Sequence, residues 1–124
     1  MKKYLYHATD GANISGIARR GLCTGEAADI ETQWPNIANR KRIYVTSDEG
    51  SAFIVADELK IEAEIIRIAE KDLPSGCKVT TDPNSRRSKT IPGMLFWKAI
   101  IGCECIPPEL FERLDESGAW RKLR

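Results

Sequence analysis

The sequence contains a single histidine, no Cys-x-x-Cys pair and no long apolar run, and these absences exclude several classes of protein. A structural zinc site lacks its usual ligand spacing, and no segment approaches the roughly 20 apolar residues that span a bilayer. An excess of charge of one sign is also lacking, because 19 lysines and arginines stand against 18 aspartates and glutamates. The resulting net charge of +1 excludes a globally basic nucleic-acid binder, although it allows a local basic patch.

What is present is the composition of one ordinary globular domain. The 124 residues are 42% apolar and 30% charged, which is enough for one core but not for two. The N-terminus enters a strand-like segment at once, without the apolar stretch and cleavage site of a signal peptide. The sequence therefore predicts a single domain over residues 1–124 that is cytoplasmic and has no membrane partner.

The four cysteines are expected to be reduced; they occupy positions 23, 77, 103 and 105. Cys103 and Cys105 would share one face of a strand, but neighbours two residues apart bridge poorly. Cytoplasmic conditions keep thiols reduced, so all four are interpreted as small buried hydrophobes. A nucleophilic cysteine would need a histidine as its base, and only His7 could serve.

Helices are predicted early in the chain and strands late. Apolar spacing and capping residues predict one helix that starts at Asp10 or Asn13 and ends at Gly21, and another after Ser47 or Asp48. β-Branched and aromatic runs predict strands at residues 4–9, 42–46, 62–68, 94–101 and 119–123. Polar stretches predict long loops at residues 24–41 and 73–93. A proline pair predicts a turn or short helix at residues 106–111. This order favours an α+β fold over a doubly wound parallel sheet.

Four segments follow one another in an order that is typical of a known superfamily. Residues 6–9 (Tyr-His-Ala-Thr) end a strand, and a helix that closes with Gly21 follows directly. Residues 42–48 come next, with Ser51 on the following helix, and a late strand leads to the Ile-Pro-Pro-Glu of residues 106–109. Together these segments resemble the ADP-ribosyltransferase superfamily in its His-Tyr-Glu branch, which includes the poly(ADP-ribose) polymerases, diphtheria-type toxins and DarT toxins. The resemblance implies an ADP-ribosyltransferase-like fold, with a split mixed or antiparallel β-sheet and two early helices.

The resemblance also implies a mono-ADP-ribosyltransferase that uses NAD as its substrate and requires no metal. His7 would hydrogen-bond ribose hydroxyls, the backbone of Ala8 would pair with the nicotinamide carboxamide, and Tyr44 would stack on the nicotinamide ring. Thr9 and Ser51 are the remaining matching positions, and at Ser51 the family often has a hydroxyl that contacts the carboxamide. Loss of nicotinamide passes through an oxocarbenium-like state, which the family stabilises with a glutamate on the late strand.

The main departure from the family is that this glutamate is missing. Counting back seven residues from Ile106 reaches Ala99, and no Asp or Glu lies between positions 83 and 103. Glu104 could substitute, but on a continuous strand it lies roughly 16 Å further along and on the other face, unless Gly102 forms a bulge. Two interpretations are favoured over that one: a naturally inactive module that binds NAD or ADP-ribosylated groups, and an engineered Glu-to-Ala change at Ala99.

Basic residues near the expected entrance of the site predict an anionic acceptor. Arg86, Arg87 and Lys89 lie in the loop that faces the acceptor in this superfamily, and residues 40–42 add a second basic cluster. Nucleic acid is favoured over an acidic protein surface, although these cations could instead hold the NAD pyrophosphate. A small stand-alone transferase would suit a toxin or phage-conflict protein, whose partner would be an antitoxin or inhibitor. RNA 2′-phosphotransferases share the fold, but they place an arginine beside the first histidine, which residues 6–9 lack.

Overall fold

The main element of the fold is a seven-stranded antiparallel sheet. A computed structural model describes residues 3–28, 41–59, 62–81 and 97–124. The strands are β1 (Tyr4–Asp10), β2 (Leu22–Cys23), β3 (Ile43–Thr46), β4 (Ala63–Ala69), β5 (Lys78–Thr81), β6 (Trp97–Ile101), β7 (Cys105–Ile106), β8 (Phe111–Leu114) and β9 (Trp120–Lys122), and the helices are α1 (Ile14–Arg20), α2 (Gly25–Ala28) and α3 (Glu49–Leu59). The large sheet has the order β5-β6-β3-β1-β4-β8-β9, and β2 and β7 form a separate two-stranded ladder. The expected α+β class is confirmed.

Helix α1 forms where capping and apolar spacing coincide in the sequence. The Asp10 carboxylate accepts a hydrogen bond from the Ala12 N–H at 3.0 Å and starts a 3₁₀ turn that leads into the helix. Gly21 ends the helix at a φ of 98°, and its N–H donates to the Ile17 carbonyl at 2.8 Å. A Cβ at Gly21 would overlap the Ile106 carbonyl oxygen, so glycine is required where the chain turns into β2.

Helix α3 begins at a cap formed by Asp48. Its carboxylate accepts hydrogen bonds from the Gly50 N–H at 3.2 Å, the Ser51 N–H at 3.3 Å and the Ser51 hydroxyl at 2.9 Å. These bonds satisfy first-turn donors that have no partner within the helix. Ala52 and Val55 are buried, and Ala52 packs against Tyr6 of β1, so this side of the helix faces the sheet. No helix in the described ranges is long and apolar enough to span a membrane.

The sheet is covered on both faces because its residues alternate between two cores. Leu5 of β1 packs with Ile17 of α1 in the larger cluster, whereas the next residue, Tyr6, packs with Ala52 of α3 in a smaller one. Successive side chains of a strand point to opposite faces, so α1 covers one face and α3 the other. The larger cluster also takes buried residues from β3, β4, β6 and β8, namely Ile43, Val45, Ile66, Ile68, Ile100 and Phe111.

The prediction of four reduced cysteines is wrong, because the structure pairs them in two disulfides. Cys23 bonds Cys105, and Cys77 bonds Cys103. Cys23 and Cys105 are register partners in the β2–β7 ladder. Cys77 immediately precedes β5 and Cys103 closely follows β6, and these two strands pair with each other. The partners are 82 and 26 residues apart in sequence, so strand pairing brings them together and cysteine spacing does not reveal it.

Two strands lie where the sequence predicts irregular structure. β5 occupies part of the expected 73–93 loop and forms one edge of the large sheet. β8 follows a 3₁₀ turn at Pro108–Leu110; it begins at the last residue of the turn expected over 106–111 and continues to Leu114, where no strand is predicted. Both strands have four residues, and strands this short are stabilised by packing against their neighbours more than by intrinsic preference. The predicted C-terminal edge strand is confirmed as β9.

Candidate functional site

The large sheet is almost divided beside its middle strand, β1. This strand pairs with β4 through seven successive residue pairs, but with β3 through the single pair Tyr6↔Thr46. Beyond that pair the two strands have no continuous ladder. This interruption, which we call the split, is where the predicted site residues of β1 and β3 meet.

His7 bridges the split through its ring. Its Nδ1 atom lies 2.7 Å from the carbonyl oxygen of Tyr44. A carbonyl oxygen only accepts hydrogen bonds, so Nδ1 carries a proton and donates it, and in the neutral ring Nε2 keeps its lone pair. Burial lowers the pKa of His7, and the bond to Tyr44 opposes this effect without cancelling it. The ring is therefore neutral at pH 7, with Nε2 able to accept a hydrogen bond from a hydroxyl group.

Tyr44 and Ala99 are direct neighbours across the β3–β6 ladder. Residues paired in this way carry Cβ atoms about 5 Å apart on one face of a sheet. Ala99 also pairs with Thr80 of β5, and it is completely buried. Positions 44 and 99 therefore lie side by side in the sheet. The His7 ring is hydrogen-bonded to the backbone carbonyl of Tyr44.

The His7 and Tyr44 side chains leave their strands on opposite sides of the sheet. Val45, next to Tyr44, belongs to the larger core, so Tyr44 and its neighbour Ala99 point away from that core. Tyr6 belongs to the smaller core, so His7 leaves β1 on the side of the larger one. A ligand that contacts both rings must therefore occupy the split rather than lie flat on one face.

The other three predicted cofactor-binding residues are Thr9, Ser51 and Ala8, and the structure describes the surroundings of each. Thr9 is 8% exposed, and its hydroxyl oxygen accepts a hydrogen bond from Asn13 Nδ2 at 3.3 Å. Ser51 is 1% exposed, and its hydroxyl donates to Asp48 in the cap of α3. Ala8 is partly buried within β1. The Ser51 oxygen can still accept a hydrogen bond, whereas its proton is committed to the cap.

Glu104 lies beyond the end of β6, in a turn between two disulfide-bonded cysteines. β6 ends at Ile101, and Gly102 turns the chain at a φ of 89°, so close to Gly76 that a Cβ would overlap the Gly76 carbonyl oxygen. Because the strand does not continue, the spacing of roughly 16 Å expected for a straight strand does not apply. Glu104 is exposed and lines an open cavity of about 530 Å³ together with Thr24, Glu26, Ala27, Lys41, Gly102 and Cys103.

This cavity lies at the end of the ladder that carries Tyr44 and Ala99. Gly102 directly follows Ile101, the last residue of β6, and Lys41 lies two residues before β3 begins at Ile43. This cavity was not predicted from the sequence, in which its lining residues are dispersed between positions 24 and 104.

The predicted acceptor-binding cations Arg86, Arg87 and Lys89 lie outside the described residues, as does Arg40. Of the second basic cluster, Lys41 lines the cavity. Within the described ranges, no group of three or more His, Cys, Asp or Glu side chains could hold a metal ion. Neither a scan of protein-family models nor a search of curated proteins finds a match for this sequence, so the geometry of the split is the basis for a functional assignment.

Proposed function

We propose that this chain is an ADP-ribosyltransferase-type domain that binds NAD in the split between β1 and β3. The observation that carries the proposal is the hydrogen bond from His7 Nδ1 to the Tyr44 carbonyl. It fixes the histidine tautomer and leaves Nε2 as an acceptor, and a ribose presents hydroxyl donors to such an acceptor. The order of the family-like segments along the chain supports the same assignment.

Within this proposal, three residues each contact a different part of NAD. His7 Nε2 accepts a hydrogen bond from a ribose hydroxyl, the Ala8 backbone pairs with the carboxamide, and the Tyr44 ring stacks on the nicotinamide. Because His7 and Tyr44 leave the sheet on opposite sides, NAD would reach both rings by entering the split.

The proposal separates NAD binding from transfer, because position 99 holds alanine. Cleavage of the bond between nicotinamide and ribose builds positive charge on the ribose, which a preorganised carboxylate stabilises. Ala99 is paired with Tyr44 and supplies no charge. The chain with alanine at position 99 would therefore bind NAD and catalyse little or no transfer.

With glutamate at position 99, the expected activity is mono-ADP-ribosylation of a macromolecular acceptor. The cations Arg86, Arg87 and Lys89 favour nucleic acid as that acceptor, because they would neutralise backbone phosphates. An active enzyme of this kind would act as a toxin or in conflict with phage. Its expected partner is an antitoxin or inhibitor protein.

Glu104 supports a second candidate function, in which the chain as written is an active transferase. The observation in its favour is the turn at Gly102, which brings Glu104 to a cavity at the end of the Tyr44–Ala99 ladder. A carboxylate there could stabilise the ribose cation if the reacting bond of NAD lay towards that end of β3. Ala99 is paired directly with Tyr44, whereas Glu104 lies outside that ladder, and this difference favours the binding domain over this candidate.

Titration calorimetry with NAD, followed by incubation with labelled NAD and cell extract, tests both candidates. NAD binding without nicotinamide release identifies the binding domain, and release that Glu104→Gln abolishes identifies the active transferase. Lys71→Gln, which changes an exposed residue outside the split, is the control for non-specific effects of substitution. A folded chain that binds no NAD contradicts both.

A further inference from the structure

The outer face of α3 carries two large apolar side chains that the fold leaves exposed. Phe53 is 48% exposed, and its neighbour Ile54 is 38% exposed. Single exposed apolar residues are ordinary on protein surfaces, but these two are consecutive and lie on the side of the helix opposite the buried Ala52 and Val55. The helix therefore packs on the sheet without them, and together they form an apolar patch that faces solvent.

Two carboxylates flank this patch along the helix. Glu49, Phe53 and Asp57 follow one another at a spacing of four residues, so their side chains share one line of the helix surface. Glu49 and Asp57 are both exposed, and their separation corresponds to roughly 12 Å along the helix axis. Within the described ranges neither carboxylate forms an ion pair. The face is therefore apolar in its middle and negative at both ends.

Gly50 leaves space for another chain beside the patch. It precedes Ile54 by four positions on the same side of the helix. The nearest atoms that a Cβ at Gly50 would meet belong to the Asp48 carboxylate, at 3.6 Å. Because glycine has no side chain, a side chain of another protein can approach the helix backbone at this point.

We propose that the outer face of α3, formed by Glu49, Gly50, Phe53, Ile54 and Asp57, is a docking surface for a basic, apolar segment of another protein. Apolar side chains of the segment would cover the two exposed apolar residues, and burial of this surface would drive association. Lys or Arg residues on either side of them would meet the two carboxylates. The helix offers no cation of its own, since all three of its charged residues are acidic.

The charges of this face decide which kind of partner fits it. Nucleic acid and anionic membranes carry negative phosphates, which Glu49 and Asp57 would repel. A second copy docked face to face through a two-fold axis would set negative ends against negative ends. A cationic segment is the partner whose charge is complementary. The proposal does not depend on NAD binding, because none of these residues belongs to the split.

A peptide library displayed on phage and selected against the purified chain tests the chemistry of the partner. The enriched peptides should carry apolar residues flanked by Lys or Arg, and they should bind the wild type at least tenfold more tightly than the double variant Phe53→Ser, Ile54→Ser. Ile101→Ser is the matched control, because Ile101 is the other large apolar residue that is exposed in the described ranges, and it lies in β6. This control should bind the peptides as the wild type does. Acidic or uncharged peptides, equal binding to the double variant, or a lack of enrichment would overturn the proposal.

The charges are tested with the enriched peptide of highest affinity. The double variant Glu49→Gln, Asp57→Asn should weaken binding and flatten its salt dependence, because fewer charges attract the peptide. The control Glu70→Gln, Glu116→Gln changes two exposed glutamates outside α3 and should bind as the wild type does. Equal effects of the two double variants would contradict the proposal.

Hydrogen exchange of the wild-type chain locates the docked peptide without any substitution. The peptide should slow exchange in α3 and leave the β5–β6 ladder unchanged, and protection elsewhere without protection of α3 would contradict the proposal even if a variant fails to fold. Light scattering and vesicle sedimentation examine the other occupants. A dimer of the chain, or binding to anionic phospholipid vesicles, that Phe53→Ser, Ile54→Ser abolishes would assign the face to a second copy or to a membrane, and either result would overturn the proposal.

Discussion

His7 donates a hydrogen bond from Nδ1 to the Tyr44 carbonyl oxygen at 2.7 Å, across two strands that share a single backbone pair. The His7 side chain thus supplies the hydrogen-bond donor for the Tyr44 carbonyl at the place where the backbone ladder between the two strands is interrupted. Backbone acceptors inside a protein need a donor, so this bond stabilises the split as well as fixing the tautomer of the ring. The two roles belong to different nitrogen atoms and can be separated by substitution.

His7→Asn should separate these roles, because asparagine keeps a donor near the Nδ1 position and lacks Nε2. We expect NAD affinity to fall by about 1–3 kcal/mol, since a ribose hydroxyl loses its acceptor, while the melting temperature stays close to that of the wild type. His7→Ala should lose both affinity and stability. Calorimetry and thermal unfolding measure the two effects, and an unchanged affinity in His7→Asn would restrict His7 to a structural role.

The pH dependence of stability follows from the lowered pKa of His7. The unfolded chain binds the proton more tightly than the folded chain, because its histidine titrates near the ordinary value of about 6.5. The free energy of unfolding should therefore decrease as the pH falls below about 6.5 towards the folded-state pKa. NAD affinity should decrease only at a lower pH, where His7 of the folded chain itself becomes protonated, since a protonated Nε2 donates rather than accepts. Urea unfolding between pH 7.5 and 5.5 measures the first effect, and a pH slope that persists in His7→Asn would assign it to other groups.

Substitutions at Tyr44 should distinguish stacking from packing. Tyr44→Phe keeps the ring and should leave NAD affinity within about tenfold of the wild type, whereas Tyr44→Ala should abolish binding. The fraction of folded protein is measured in parallel by circular dichroism. Large and equal losses of melting temperature in both variants, with normal binding per folded molecule, would argue against the stacking role.

Ala99→Glu should create or restore transfer if position 99 faces the bound NAD. A carboxylate of this kind contributes on the order of 10² to 10³ in rate. Ala99 is completely buried, so the variant should also melt at a lower temperature than the wild type when NAD is absent.

Ala99→Gln is the matched control for that experiment, because glutamine has the same size and no charge. It should lose stability without releasing nicotinamide. If the unchanged chain already hydrolyses NAD and Glu104→Gln stops the reaction, then Glu104 is the catalytic carboxylate and position 99 is not.

The cations Arg86, Arg87 and Lys89 should select the acceptor rather than the cofactor. Replacing all three by serine should leave NAD affinity nearly intact and weaken nucleic-acid binding. The salt dependence should flatten by about 0.7 to 0.9 in slope for each phosphate that the variant no longer neutralises. A triple serine variant of exposed lysines elsewhere, Lys3, Lys71 and Lys122, is the control. Loss of NAD binding in the first variant alone would assign these cations to the pyrophosphate.

Single residues in the sequence predicted the ends of the helices, because one capping residue or one glycine determines the backbone geometry there. Asp10 and Asp48 cap the turn before α1 and the start of α3, as expected of acidic residues at those positions. Gly21 ends α1 with a positive φ. By contrast, β5 reads Lys-Val-Thr-Thr, and nothing in those four residues distinguishes an edge strand from a polar loop until β6 lies beside it.

The amino-acid sequence by itself determined where β1, α1, β3 and α3 form, because capping and the alternation of apolar residues act within a few residues of each other. Only the tertiary structure decided which of these elements meet. The bond between His7 and Tyr44 joins residues 37 positions apart, and the Cys23–Cys105 disulfide joins residues 82 positions apart. Contacts over such separations depend on strand order and register, which arise when two sheet faces are buried together.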